Sequence, residues 1–315
     1  MSLTLAIATP IGFAALGGMY SEKSGVVNIG LEGMMLTGAF TAVWISFETG
    51  NAWLGVLGAI IAGAFMGLLH AIASIKFRAN QVVVGVAINI LASAVTTLGI
   101  VLVWGTEGTS DVPPILRNVK FPFLKDIPII GPLLYNLTNA DVGLSPLIYV
   151  FFIIMILSAW IIQRTNLGLR IRAVGEHPRA ADTLGINVYR MRYLAVILSG
   201  LLAALGGAQL TLGWATVFNK DMTTGRGFVA LAALIFGGWH PLGAAFASLF
   251  FGFAYTFRFQ LDVMGLAANW IVFNLHLDAL TPTIPFIITI MAVAIVAKRM
   301  RPPAADGIPY VKEGE

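Results

Sequence analysis

Apolar residues occupy the chain in long uninterrupted runs, and polar positions gather between those runs instead of alternating with them. Four runs, 1–20, 26–47, 51–75 and 82–104, fill the first third, and 144–162 and 193–218 follow. Runs near 20 residues match the helix length that crosses roughly 30 Å of hydrocarbon, where every backbone group must be satisfied internally by a helix or a closed barrel. The lack of short alternating strands excludes the barrel.

Two runs are broken. The second carries Asn28, Glu32 and several glycines, and "GRGFVALAALIFGGWHPLGAAFASLFFGFAYTF" is interrupted at Gly237, Gly238 and Pro241. The latter break predicts a short re-entrant half-helix followed by a longer span. Residues 261–280 are less regular, and 284–297 closes the bundle before Lys298, Arg299 and Arg301. The expected fold is therefore an all-α polytopic membrane protein of about 8–10 transmembrane helices. Paired interruptions at 25–40 and 225–246 predict an inverted repeat whose broken helices surround a central pathway.

Composition reinforces this reading. Of 315 residues, 58% are hydrophobic and 11% charged, with mean hydropathy +0.86. The net charge of +4 and pI near 9.4 suggest nucleic acid until the basic residues are located: they cluster in a few inter-span loops, which is a topology signal. Arg164, Arg170, Arg172, Arg179, Arg190 and Arg192 all fall between 164 and 192, against Glu176 and Asp182. The positive-inside rule makes that segment cytoplasmic, and the C-terminal tail with it. Counting crossings back places Lys76, Arg78, Glu22 and Lys23 inside and the N-terminus outside. The mixed segment 105–143, rich in Pro and Gly, then lies outside. No Lys or Arg precedes Lys23, so the first run is expected to be retained as a span. The expected division is a single transmembrane domain: an N-terminal half (1–163), the cytoplasmic segment 164–192, a C-terminal half (193–297) and a cytoplasmic tail (298–315).

Catalytic chemistry finds no footing. A phosphate-cradling loop needs Gly-Lys-Ser/Thr, and the one lysine followed by Ser or Thr is Lys23, preceded by Glu22. No cysteine is present, and His70, His177, His240 and His276 lack metal-ligand spacing. The chain is expected to be non-catalytic and to carry no cofactor.

The segment "GLRIRAVGEHPRAADTLGIN" is too long and patterned for a mere turn. Ala173, Gly175, Ala180, Ala181 and Gly185 would let another surface approach closely, and Glu176 and Pro178 would open a short helix suited to docking. The alternative is a positive-inside loop with no further role. On these residues the chain resembles the integral-membrane permease subunits of ATP-binding-cassette importers for nucleosides, simple sugars and branched-chain amino acids. "TNLGLRIRAVGEHPRAADTLGINV" is similar to that family's coupling segment, through Gly168, Arg172, Ala173, Gly175, Pro178, Ala180, Ala181, Gly185 and Ile186. "GGMYSEKSGVVNIGLEGMML" resembles the front of the nucleoside branch, and "GRGFVALAALIFGGWHPLGAAF" its third signature.

The resemblance implies an ABC ATPase subunit as the energy source, a second and distinct permease subunit, an extracytoplasmic substrate-binding lipoprotein and a small-molecule cargo. It also implies alternating access within the cell membrane. Nucleic-acid polymers are not expected partners. ATPase coupling falls to Arg172, Ala173, Gly175, Glu176, His177, Pro178, Arg179, Ala180, Ala181 and Gly185. On that reading, Gly175→Trp or Ala181→Trp would spare membrane insertion and break ATPase docking.

Buried polar residues are the other candidates. Glu32, exposed to lipid as an ion, would cost roughly 2.5–3.5 kcal/mol, so it faces the bundle or a cavity. It either lines the pathway with Asn28 or bonds free backbone groups at the glycine-rich break. Asn89 and Gln209 either contact cargo or join helices, and Trp239 either stacks on a nucleobase or marks the interface. Two other classes fit less well. An ion-coupled secondary transporter would use Glu32 as its coupling carboxylate, and a membrane enzyme lacks clustered acids, bases or metal ligands.

Overall fold

The computed structural model describes residues 2–120, 143–263 and 301–312, with scattered positions between 271 and 294. Ten helices stand in the described residues: α1 (Ser2–Lys23), α2 (Leu31–Thr49), α3 (Ala52–Ala71), α4 (Gln81–Trp104), α5 (Pro146–Arg164), α6 (Asn166–Glu176), α7 (Pro178–Thr183), α8 (Val188–Leu210), α9 (Arg226–Phe236) and α10 (Pro241–Val263). Two-residue strands, Ile271–Val272 and Leu275–His276, pair antiparallel within the stretch expected to be irregular. Of the predicted closing span, 284–297, the described residues are Ile287, Ile290, Met291 and Ala294, all helical; the rest of it, and Asn136, lie outside the described residues.

Local chemistry sets many of the boundaries. Asn51 accepts from the amide of Trp53 to start α3, and Asn80 accepts from Val82 and Val83 to start α4. Each satisfies amides that no helical carbonyl can reach. Gly50 and Gly105 end α2 and α4 in the left-handed region, at φ 67° each. α3 and α8 both finish in a π turn, Ile72–Lys76 and Thr211–Ala215. α8 begins at Val188, not near 193, because Asn187 caps it by accepting from the Arg190 amide. The last residues of the basic segment are thus its first helical turn.

Among the described residues, five helices are long and apolar enough to cross a membrane: 3–23, 52–76, 81–104, 146–164 and 188–215. The first and last of these are each 78% buried and form the centre, whereas the spans at 81–104 and 146–164 are 22% and 28% buried. α8 packs against α1, α2 and α3, and α1 packs against α9 and α10. Small residues set these distances, as expected where lipid gives helices no hydrophobic reason to associate. A Cβ on Gly200 would run into the carbonyl oxygen of Gly63, so α3 and α8 touch backbone to backbone. The outer helices leave Leu57, Ile61 and Phe65 on α3, and Ile153, Ile156 and Trp160 on α5, exposed as an apolar jacket.

Candidate functional site

The expected second span divides. Ser24–Gly30 is not helical, and α2 starts only at Leu31. This loop is nonetheless largely buried, so its backbone groups need partners. The Val27 amide donates to Gln81 Oε1 at 2.6 Å, and His70 Nε2 donates to the Val27 carbonyl at 3.0 Å. Asn28 Nδ2 donates to Ser199 Oγ at 2.9 Å, while its Oδ1 accepts from the Gly30 amide at 3.1 Å. Asn89 accepts from the Gly33 amide at 2.8 Å and donates to the Ile29 carbonyl at 3.1 Å. α2 therefore begins inside the bundle, level with a residue about 12 Å along α4 at 1.5 Å per residue. Its orphan amides are satisfied by asparagines.

The second break mirrors the first. The segment after α8 leaves one end of the bundle, where Thr109 and Asn219 pair and the Lys220 amide donates to the Gly108 carbonyl at 2.9 Å. It then descends: Asp221 Oδ1 accepts from Ser93 Oγ at 2.7 Å, on the thirteenth of the 24 residues of α4. α9 starts at that depth as the predicted half-helix. Its first turn has no cap of its own, and Glu32 serves it instead. Glu32 Oε1 accepts from the Gly225 amide at 2.8 Å and Oε2 from the Gly227 amide at 2.5 Å. A carboxylate at a helix N-terminus is favoured by both the hydrogen bonds and the dipole. Of the two roles open to Glu32, the observed bonds are to free amides at a glycine-rich break, though at the distant one and not at its own.

Trp239, in the turn after α9, is held at φ 53° and donates its indole N–H to Glu22 Oε2 at 2.5 Å. It is buried at 6% exposure, which places its ring in the core. Gln209 is fully buried, accepts from Ser145 Oγ at 2.8 Å, and leaves its Nε2 without a partner.

The basic segment folds into α6 and α7. Thr165 caps α6 by accepting from the Gly168 amide, and Pro178 opens α7, where its missing N–H costs nothing. Glu176 closes α6 instead of opening α7, a correction to the expected start. Two of the five small residues pack against this chain itself. A Cβ on Gly175 would strike the carbonyl oxygen of Lys23, and Ala181 is buried beside Val174, Val188 and Tyr310. These positions seat the segment on its own bundle. Glu176, His177, Arg179, Ala180 and Gly185 remain exposed, as does Leu184 at 81%, while Arg172, Ala173 and Pro178 are half-buried.

The tail completes this surface. The Ala305 amide donates to the Gly175 carbonyl at 2.8 Å and the Ala304 amide to Glu176 Oε2 at 3.2 Å. Arg192, 2% exposed, donates to the Ser24 carbonyl at 3.1 Å and the Ile308 carbonyl at 3.0 Å. Burial pushes the Asp306 carboxyl up to about 7, against the opposing pull of the Gly307 amide and Arg192. A groove of about 510 Å³ runs between His177–Ala180 and the tail. Lys23, the 164–187 segment and the tail thus share one end of the bundle, and Lys76 and Arg78 line a groove there with Tyr189.

Sequence reasoning missed Ser93, Asp221, Arg226, Arg192 and the tail. Arg226 had a signal: a cation at the first position of a helix opposes the dipole. The tail had none, since its docking depends on main-chain groups.

A polytopic bundle with broken helices meeting inside it is the architecture of a membrane permease. Its fold resembles a structure described as a metal-chelate type ABC transporter in an inward-facing conformation, with a TM-score of 0.50, 15% identity, and coverage of 93% of this chain and 85% of that one. The chain belongs to the branched-chain amino acid transport system / permease component family, which matches residues 1–297. It is 44% identical to the guanosine ABC transporter permease protein NupQ of Bacillus subtilis, over 98% of this chain and 95% of that protein. It is 36% identical to the nucleoside ABC transporter permease protein NupC of Lactococcus lactis, over the same shares.

Proposed function

We propose that this chain is a non-catalytic membrane subunit of an ATP-driven importer of nucleosides. The observation that carries the cargo assignment is near-full-length similarity to permeases named for guanosine and nucleosides. A partner ATPase supplies the energy, a distinct second permease completes the pathway, and an extracytoplasmic binding lipoprotein delivers cargo. The end bearing α6, α7 and the tail is cytoplasmic, consistent with its arginines, and the N-terminus is outside.

Coupling runs through the exposed face of α6–α7, chiefly His177, Arg179, Ala180 and Gly185 with Glu176. Arg172, Ala173, Gly175, Pro178 and Ala181 hold that face against α1 and the tail, so ATPase closure moves the inner ends of the central helices. Asn28, Glu32 and Asn89 position the two broken helices beside the pathway, in the manner of an inverted repeat. Gln209 and Trp239 support the same interior. Radiolabelled uptake by the assembled transporter in vesicles tests the cargo. Guanosine uptake competed by other nucleosides supports the assignment, and glucose uptake with no nucleoside uptake contradicts it.

A further inference from the structure

The descending segment before α9 carries charge to a depth where lipid does not tolerate it. Asp221 is exposed, yet its carboxylate meets Ser93 at the midpoint of the apolar helix α4. An ionised side chain at that depth faces a water-filled cavity or protein. Arg226 lies five residues on, with its guanidinium carbon 5.9 Å from the ring centres of both Trp214 and Tyr255. Its Nη1 donates to the Met222 and Thr223 carbonyls and to Thr224 Oγ1, at 3.0, 3.2 and 2.6 Å. Its Nε is buried with no hydrogen-bond partner.

Two features show that this arrangement is not incidental to folding. As the first residue of α9, Arg226 opposes the helix dipole, a disadvantage that Glu32 offsets from the other side. Asp221 and Thr224 are held at φ 51° and 44°, a region that side-chain-bearing residues rarely adopt and that concentrates at functional sites.

We propose that Asp221, Arg226 and Ser93, with the Trp214 and Tyr255 rings, form a cargo-contacting station partway along the translocation pathway. The inference rests on the nucleoside reading. A nucleoside joins a planar heterocycle to a hydroxylated sugar. The guanidinium and the two rings supply flat, polarizable surfaces for the heterocycle. The Asp221 carboxylate accepts from sugar hydroxyls, and Ser93, released from Asp221, donates or accepts. Such contacts slow or speed passage according to the cargo, so the station acts on turnover and leaves delivery by the binding protein untouched.

The test uses the complete transporter in vesicles, with the binding protein loaded separately with guanosine, uridine and glucose. Arg226→Lys keeps the charge and removes the planar fork, and Asp221→Asn keeps the shape and removes the charge. Each is expected to lower nucleoside turnover at least fivefold and to change the guanosine-to-uridine turnover ratio at least threefold. The amount of loaded binding protein giving half-maximal uptake should stay the same. Equal scaling of both nucleosides, or wild-type turnover in both variants, overturns the station. So does a loss of partner permease on purification with normal turnover in the complexes that remain, which would make this a subunit contact. If the wild-type complex carries glucose alone, the nucleoside reading falls. Unchanged glucose turnover in both variants would then overturn the station separately.

Discussion

Glu32 and Gly227 are 195 residues apart and in direct contact: the carboxylate accepts the Gly227 amide at 2.5 Å, and a Cβ on that glycine would stand 2.5 Å from the Glu32 Cα. The start of α2 and the start of α9 are thereby locked at one depth. Replacing Glu32 by Ala strands the amides of Gly225 and Gly227, each costing about 1–3 kcal/mol when buried. The expected outcome is a fall of at least 5 °C in the detergent-solubilised Tm, with roughly half that loss for Glu32→Gln, which keeps one acceptor oxygen. Wild-type Tm for Glu32→Ala would remove the capping role.

Gly175 and its exposed neighbours separate seating from docking. Gly175→Ala drives a methyl group into the Lys23 backbone, an overpacking that costs about 1–3 kcal/mol. It should reduce the yield of folded protein. Arg179→Glu and Leu184→Ala change exposed side chains and should leave Tm within about 2 °C. Both should cut ATPase co-purification at least fivefold. Full recovery of the ATPase with both variants would exclude this face as the docking surface.

Many of the spans were legible because apolar runs of the right length are a direct consequence of crossing lipid, and the α9–α10 break was legible because Gly237, Gly238 and Pro241 end a helix locally. The start of α2 was not. Val26–Gly30 is apolar enough to pass for a helix, but Gln81, His70 and Asn89, supplied by two other helices, take the backbone groups of Val27 and Ile29, and Asn28, held by Ser199, takes the Gly30 amide. The 164–187 segment was recognisable by pattern, but what two of its small residues meet was not. Gly175 and Ala181 signal close approach without saying to what, and the partner turned out to be α1, α8 and the tail. Asp221 and Ser93 meet across 128 residues, a pairing that no local periodicity encodes.

Asp306 makes tail docking pH-dependent. Its carboxyl titrates near 7 in the folded chain and near 3.8 when released, so the docked tail holds the proton more tightly. Docking is strongest below the released value, weakens as pH rises between the two, and levels off above about 7. Glu22 and Arg192 are the charged groups beside it. Hydrogen exchange at Ala304 and Ala305, corrected for intrinsic rates, should show less protection at pH 8 than at pH 6. Asp306→Asn should flatten that difference; an unchanged profile would assign it to another group.

On the proposed function, this chain moves cargo only as part of an ATP-driven assembly. Vesicles holding the chain with its partner permease and ATPase, and supplied with loaded binding protein outside, measure this most directly. ATP inside should drive cargo accumulation that stops when the ATPase is omitted and persists when the proton gradient is collapsed. Accumulation by the chain alone, driven by a proton gradient without ATP, would contradict the account.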